Sequence, residues 1–226
     1  MALMEGRIST GTDVLDGLLE GGYETDAITT IYGPAGAGKT NLALLAAVHV
    51  AQQGKKVIYI DTEGGFSVAR LKQIVHQPKK VLDKIVFLQP TTFEEQKKAF
   101  SKLKQLVNSK IGLIVVDTIA MLYKIQRASE DVKDVNQELG AQIGVLNEIC
   151  RKQKIPVLVT NHVYAEFGTG RLNLVGGDIL KYGSKCLLEL QPLAAGRRKV
   201  ILRKHRSIAG EKEAMFQIVE KGIEGA

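Results

Sequence analysis

Eight consecutive residues, Gly33-Pro34-Ala35-Gly36-Ala37-Gly38-Lys39-Thr40, match G-x-x-x-x-G-K-[ST] without a gap. Glycines at that spacing let successive backbone N–H groups point into one concavity, which suits phosphate oxygens. The lysine of such a loop reaches the β- and γ-phosphates, and the hydroxyl after it ligates Mg²⁺. The pattern implies a nucleoside triphosphate site, expected to take ATP, running from Gly33 to Thr40 with Asn41 at its end. Leu113-Ile114-Val115-Val116-Asp117 closes an apolar run with a carboxylate, which would place Asp117 beside the Mg²⁺ through water. Tyr59-Ile60-Asp61-Thr62-Glu63-Gly64-Gly65 ends in two acids. Glu63 falls just past a strand end, where ligands collect in open α/β sheets. It is the expected general base for the attacking water; the competing reading is a plain surface carboxylate. Asp61 is expected to organise the loop. Val159-Thr160-Asn161-His162 presents polar groups to the same crevice. His162, whose charge changes near neutral pH, is either a γ-phosphate sensor or a structural histidine.

Such residues need a frame, and the hydrophobic periodicity supplies one. Residues 1–26 form a leading segment in which Val14, Leu15, Leu18 and Leu19 recur at helical spacing. A strand over about 27–32, the glycine loop and a helix over about 39–53 follow, with Gly54 as its stop. Strands are expected near 55–61, 84–88, 111–117 and 155–160. Helices are expected near 66–77, 92–107 and 135–153, with a polar stretch over 124–134. The glycine-rich residues 164–178 read as a mobile loop, and about 184–220 alternates as β structure. The fold class is therefore α/β: a mostly parallel central sheet with helices on both faces and an antiparallel β extension. The 226 residues fit one domain, with no linker to divide them.

Composition narrows the function class. No apolar run approaches the roughly 18 residues of a membrane span, and Met1-Ala2-Leu3-Met4-Glu5-Gly6-Arg7 has no signal-peptide core. Cys150 and Cys186 are too few for a disulfide framework and suit reduced packing residues in a cytoplasmic protein. A net charge of +7 favours polyanions. Lys79-Lys80, Lys97-Lys98, Lys102 and Lys104 read as solvated helix faces, whereas Arg197-Arg198-Lys199 and Arg203-Lys204-His205-Arg206 form a late basic cluster.

Taken together, the phosphate loop, Ile8-Ser9-Thr10-Gly11-Thr12-Asp13-Val14-Leu15-Asp16, Tyr59-Ile60-Asp61-Thr62-Glu63-Gly64, Val159-Thr160-Asn161-His162 and Glu213-Ala214-Met215-Phe216 resemble the RecA-type recombinases in their archaeal and eukaryotic branch. The likeness spans nearly the whole chain and points to the short archaeal paralogues consisting of the ATPase core. The resemblance implies a P-loop RecA-like core. It puts Glu63 on the catalytic glutamate and Arg70 on an arginine that packs against adenine. His162 falls where the family usually has a glutamine linking γ-phosphate to the DNA loops; imidazole differs from that amide in reach and charge. Lys204 and Arg206 fall on cations that touch the γ-phosphate of a neighbouring subunit, and their i, i+2 spacing suits one face of a strand. The first DNA loop is implied near 124–138, with Arg127, and the second near 165–177, with Arg171; Tyr164 and Phe167 are the nearby aromatics. The resemblance also implies a trimmed member, without the helical DNA-binding domain and the Phe-x-x-Ala polymerisation hook that precede the core in full-length relatives.

These readings lead to an accessory recombinase. It would bind ATP and DNA, favouring single strands, and hydrolyse ATP weakly. It would assist the main archaeal recombinase and other repair proteins, as a monomer or homodimer with no membrane attachment. A clock- or signalling-type ATPase acting on proteins is the alternative, but those usually carry two adjacent glutamates where this chain has Thr62-Glu63-Gly64. A nucleotide-gated adaptor without useful catalysis is the third reading.

Overall fold

The computed structural model describes residues 6–128, 131–165 and 172–226. In chain order, β1 (Arg7–Ile8) and β2 (Tyr23–Glu24) pair antiparallel around α1 (Asp13–Leu18). The Thr12 side chain caps α1 by accepting from the Leu15 N–H at 3.2 Å. β3 (Ile28–Tyr32) leads through the glycine loop into α2 (Lys39–Gln52), followed by β4 (Lys56–Asp61), α3 (Val68–Ile74), α4 (Pro78–Leu82) and β5 (Ile85–Leu88). Next come α5 (Phe93–Leu106), β6 (Ile111–Asp117), α6 (Met121–Gln126), α7 (Val132–Gln153) and β7 (Val157–Asn161). β8 (Val163–Ala165), β9 (Leu172–Leu174), α8 (Gly177–Gly183), β10 (Cys186–Pro192), β11 (Arg197–Lys204), β12 (Lys212–Val219) and β13 (Gly222–Gly225) complete the chain.

The central sheet has nine strands in the order β13-β12-β11-β10-β3-β7-β6-β4-β5. Strands β10 to β5 in that order are parallel, and β11, β12 and β13 extend the sheet antiparallel. The parallel strands are continuous Val/Ile/Leu runs because both faces are covered. Side chains alternate between two cores. Val57, Tyr59, Leu113 and Val115 face the α2 side, while Ile58, Ile60, Ile114 and Val116 face the α5 and α7 side. Parallel register brings the strand ends to one edge: Tyr32 lies opposite Asn161, and Asp61 opposite Asp117. That edge, at the crossover points of the chain, is where such sheets bind ligands.

The expected α/β architecture is the observed one, with local corrections. Pro78 does not merely end the preceding helix; it sits in the first turn of α4, where its missing N–H costs nothing. The polar stretch expected over 124–134 holds the last turn of α6, which buries Leu122 and Tyr123. Helix α7 begins at Val132 rather than 135, because Asp131 caps it through the Lys133 N–H at 2.7 Å. The stretch expected as a loop over 164–178 contains the antiparallel β8–β9 pair and the start of α8. Arg171 and Phe167 lie outside the described residues. Among the described residues no helix is long and apolar enough to cross a membrane. Both cysteines are buried and unbridged.

Candidate functional site

The glycine loop is shaped by close approaches. A Cβ on Gly33 would come within 2.4 Å of the Leu190 carbonyl oxygen, so only glycine lets β3 and β10 run together into the loop. Gly38 caps α2 in the left-handed region, with φ of 104°. The Lys39 ammonium is buried and donates to the carbonyls of Gly33 and Pro34, both at 2.9 Å. Burial pulls its pKa below the usual lysine value, opposed by the fields of Glu63 and Asp117.

Thr40 and Asp117 border one small space. A Cβ on Gly65 would lie 3.6 Å from Thr40 Oγ1 and 3.9 Å from Asp117 Oδ2. Asp117 is buried; it accepts from the Tyr59 hydroxyl at 3.0 Å and from the Thr160 hydroxyl. Burial raises its pKa despite those bonds. A buried carboxylate held this way beside a hydroxyl fits a hydrated divalent cation, which would supply the missing positive charge. Among the described residues no cluster of three or more His, Cys, Asp or Glu could hold a metal by itself.

Asp61 organises the turn after β4: it accepts from the N–H groups of Glu63 at 3.3 Å, Gly65 at 3.0 Å and Phe66 at 3.2 Å. Glu63 is thereby turned toward the neighbouring strand ends. Its Oε1 accepts from the Thr118 hydroxyl at 2.8 Å and lies 2.6 Å from His162 Nε2. The bond to His162 is the largest influence holding the Glu63 carboxyl below its usual range; burial works against it, and Thr118 adds to it. Two carboxylates of one crevice are thus pushed in opposite directions, Asp117 up by burial and Glu63 down by its bond to His162, which keeps Glu63 ionised and able to accept a proton.

Other expected residues are placed differently. Every nitrogen of the Arg70 guanidinium is engaged along its edge. Nε donates to Asn41 Oδ1 at 2.8 Å, Nη1 to Gln73 Oε1 at 2.8 Å and the Glu220 carbonyl at 2.9 Å, and Nη2 to the carbonyls of Val219 at 2.7 Å and Gly222 at 2.9 Å. This ties α3, the start of α2 and the β12–β13 turn together. Lys204 Nζ closes the end of α8, donating to the carbonyls of Lys181 at 2.6 Å and Ser184 at 2.8 Å. Arg206 pairs with Glu24 at 3.0 Å and with Asp26. The expectation that Lys204 and Arg206 share a strand face does not hold, because β11 ends at Lys204 and Arg206 lies beyond it. Arg127 lines a cavity of about 660 Å³ with Lys124, Tyr164 and Gly176, so described residues from or beside both expected DNA-loop stretches share it.

The sequence reading passed over Thr118, Tyr59 and Thr160, the hydroxyls that hold the two carboxylates. Their signal was position: each sits on or just past a strand that ends at the crevice. It also gave Arg198 no role, although this side chain reaches the carbonyl of Gly36.

Comparison with known proteins gives the family and the fold. A family model described as Rad51 matches residues 4–226. The DNA repair and recombination protein RadB of Methanobrevibacter smithii is 39% identical over 219 residues, covering 92% of each chain. The protein of the same name from Thermococcus kodakarensis is 40% identical over 222 residues, covering 96% of this chain and 98% of its own. A solved structure described as the RadB recombinase superposes with a TM-score of 0.84 at 37% identity, covering 97% of this chain and 99% of that one.

Proposed function

The chain belongs to the Rad51 family, and from that premise we propose an ATP-binding accessory protein of DNA repair and homologous recombination. It binds DNA and hydrolyses ATP weakly. It assists a main recombinase in the cytoplasm rather than exchanging strands alone. The phosphates lie against Gly33–Thr40 and Asn41, with Arg70 offering its face to adenine. Thr40 and Asp117 hold Mg²⁺, which when bound neutralises charge developing on the phosphoryl oxygens. Glu63 takes the proton from the attacking water. Lys204 and Arg206 reach phosphate only across a contact with a second subunit.

One observation carries this reading. Glu63 is bonded to His162 at 2.6 Å, and His162 immediately precedes the β8–β9 pair, which overlaps the stretch expected as the second DNA loop. The expected general base is therefore linked by a single hydrogen bond to the residue that leads into the β8–β9 pair. Replacing His162 by Leu removes that bond. With its carboxyl held low, Glu63 stays a base as pH falls; losing the bond lets its pKa rise, so the acid limb of the pH–kcat profile moves to higher pH. A limb that stays in place, or moves lower, contradicts the role given to His162.

DNA-dependent turnover tests the function. Few cations line the two loops, so the expected grip is weak and salt-sensitive. A hold on about three phosphates of a single strand loses roughly 20-fold in affinity when salt rises about fourfold. Stimulation of turnover by DNA should be modest. Affinity independent of salt contradicts phosphate contact, and strong single-strand stimulation with strand exchange contradicts an accessory role.

A further inference from the structure

Arg198 is a cation at the phosphate loop that the machinery above does not use. It sits on β11 opposite Phe216 of β12, and its side chain lies against the loop at Gly36 and Gly38. A Cβ on Gly38 would lie 3.5 Å from Arg198 Cδ, 3.6 Å from its Nε and 3.2 Å from Ile218 Cδ1. These are close to ordinary van der Waals distances, so the antiparallel extension packs directly against the loop. Nη1 is anchored on the Gly196 carbonyl at 2.6 Å. Nη2 reaches the Gly36 carbonyl only at 3.5 Å, the far limit of a hydrogen bond. Nε is buried and has no acceptor among the described residues. A buried donor on a charged group is costly to leave unpaired, and native structures rarely do so without a reason. The guanidinium fork also matches phosphate oxygens better than any other side chain does.

We propose that Arg198 is a further nucleotide-binding residue, whose Nε–H and Nη2–H take a phosphate oxygen of the triphosphate held by Gly33–Thr40. The inference rests on the nucleotide reading of that loop. It makes the antiparallel extension one wall of the site rather than an appendage to the sheet. Lys39 approaches the phosphates from the loop, and Arg198 approaches them from β11 in the same chain. Anchorage of Nη1 on Gly196 fixes the plane of the fork before the ligand arrives, so little freedom is lost on binding.

The test is equilibrium titration with Mg²⁺ of a non-hydrolysable ATP analogue, ADP and adenosine. The proteins are the wild type, Arg198→Ala and Arg198→Lys. Arg198→Ala is expected to weaken the triphosphate by about tenfold to a hundredfold, the range for a lost charge-assisted bond, while adenosine affinity stays within about twofold. Arg198→Lys, which keeps the charge and the packed stem but not the fork, should recover part of the loss. Unfolding without nucleotide, followed in parallel, reports on the fold of each variant. Equal loss for all three ligands would make Arg198 a prop for Gly36 and overturn the proposal. Tight wild-type binding left unchanged by Arg198→Ala overturns the proposal alone. A wild-type protein that binds no triphosphate overturns the nucleotide reading and the proposal with it.

Discussion

Lys39→Ala is expected to lower affinity for ATP by at least about 100-fold, which corresponds to about 2.8 kcal/mol. The Lys39 ammonium is buried on two neutral carbonyls, those of Gly33 and Pro34, and burial depresses its pKa. Burial against neutral carbonyls is an unfavourable place for a charge. The pH dependence follows from the sign: between the depressed folded pKa and the ordinary unfolded one, the unfolded chain binds more protons, so this contribution to stability improves as pH rises. A triphosphate reverses the situation by offering charged oxygens, which make shorter and stronger bonds than carbonyls. Removing Lys39 therefore removes much of the binding energy but little of the empty protein's stability. Titration calorimetry, together with the nucleotide-induced rise in Tm, checks both halves. Undiminished ATP affinity in the variant contradicts the role of the loop.

Glu63→Gln is expected to slow hydrolysis by about 10²- to 10⁴-fold, the range for loss of a positioned general base, with ATP affinity kept within a few-fold. The amide can still accept from Thr118, which bonds Glu63 Oε1 at 2.8 Å, so the loop geometry survives while the proton acceptor does not. Single-turnover hydrolysis and equilibrium binding separate the two effects. Parallel loss of both would remove Glu63 from the chemistry and return it to a loop-supporting role.

The frame of the site was legible from the chain because it is local. The glycine loop, the carboxylate closing the apolar run at Asp117 and the turn-organising Asp61 each depend on neighbours a few residues away. Helix starts followed the same logic, with Thr92 capping α5 and Ser67 capping α3 through their hydroxyls. What escaped is non-local. The bond between His162 and Glu63 spans 99 residues, and the contact between Arg198 and Gly36 spans 162; no periodicity encodes either. Arg70 was expected at adenine from resemblance, but its five edge bonds, three of them to carbonyls of the β12–β13 turn, depend on where that turn folds back. Short helices were missed for a different reason. α6 and α8 span 6 and 7 residues, too short for a 3.6-residue period to stand out against glycine and polar neighbours.

Crystals grown with a non-hydrolysable ATP analogue and Mg²⁺ test the central claim most directly. The account predicts the triphosphate along Gly33–Thr40, the cation against Thr40, and Lys39 Nζ moved from the Gly33 and Pro34 carbonyls onto phosphate oxygen. A nucleotide bound elsewhere, or a Lys39 still seated on those carbonyls beside an empty loop, would contradict it.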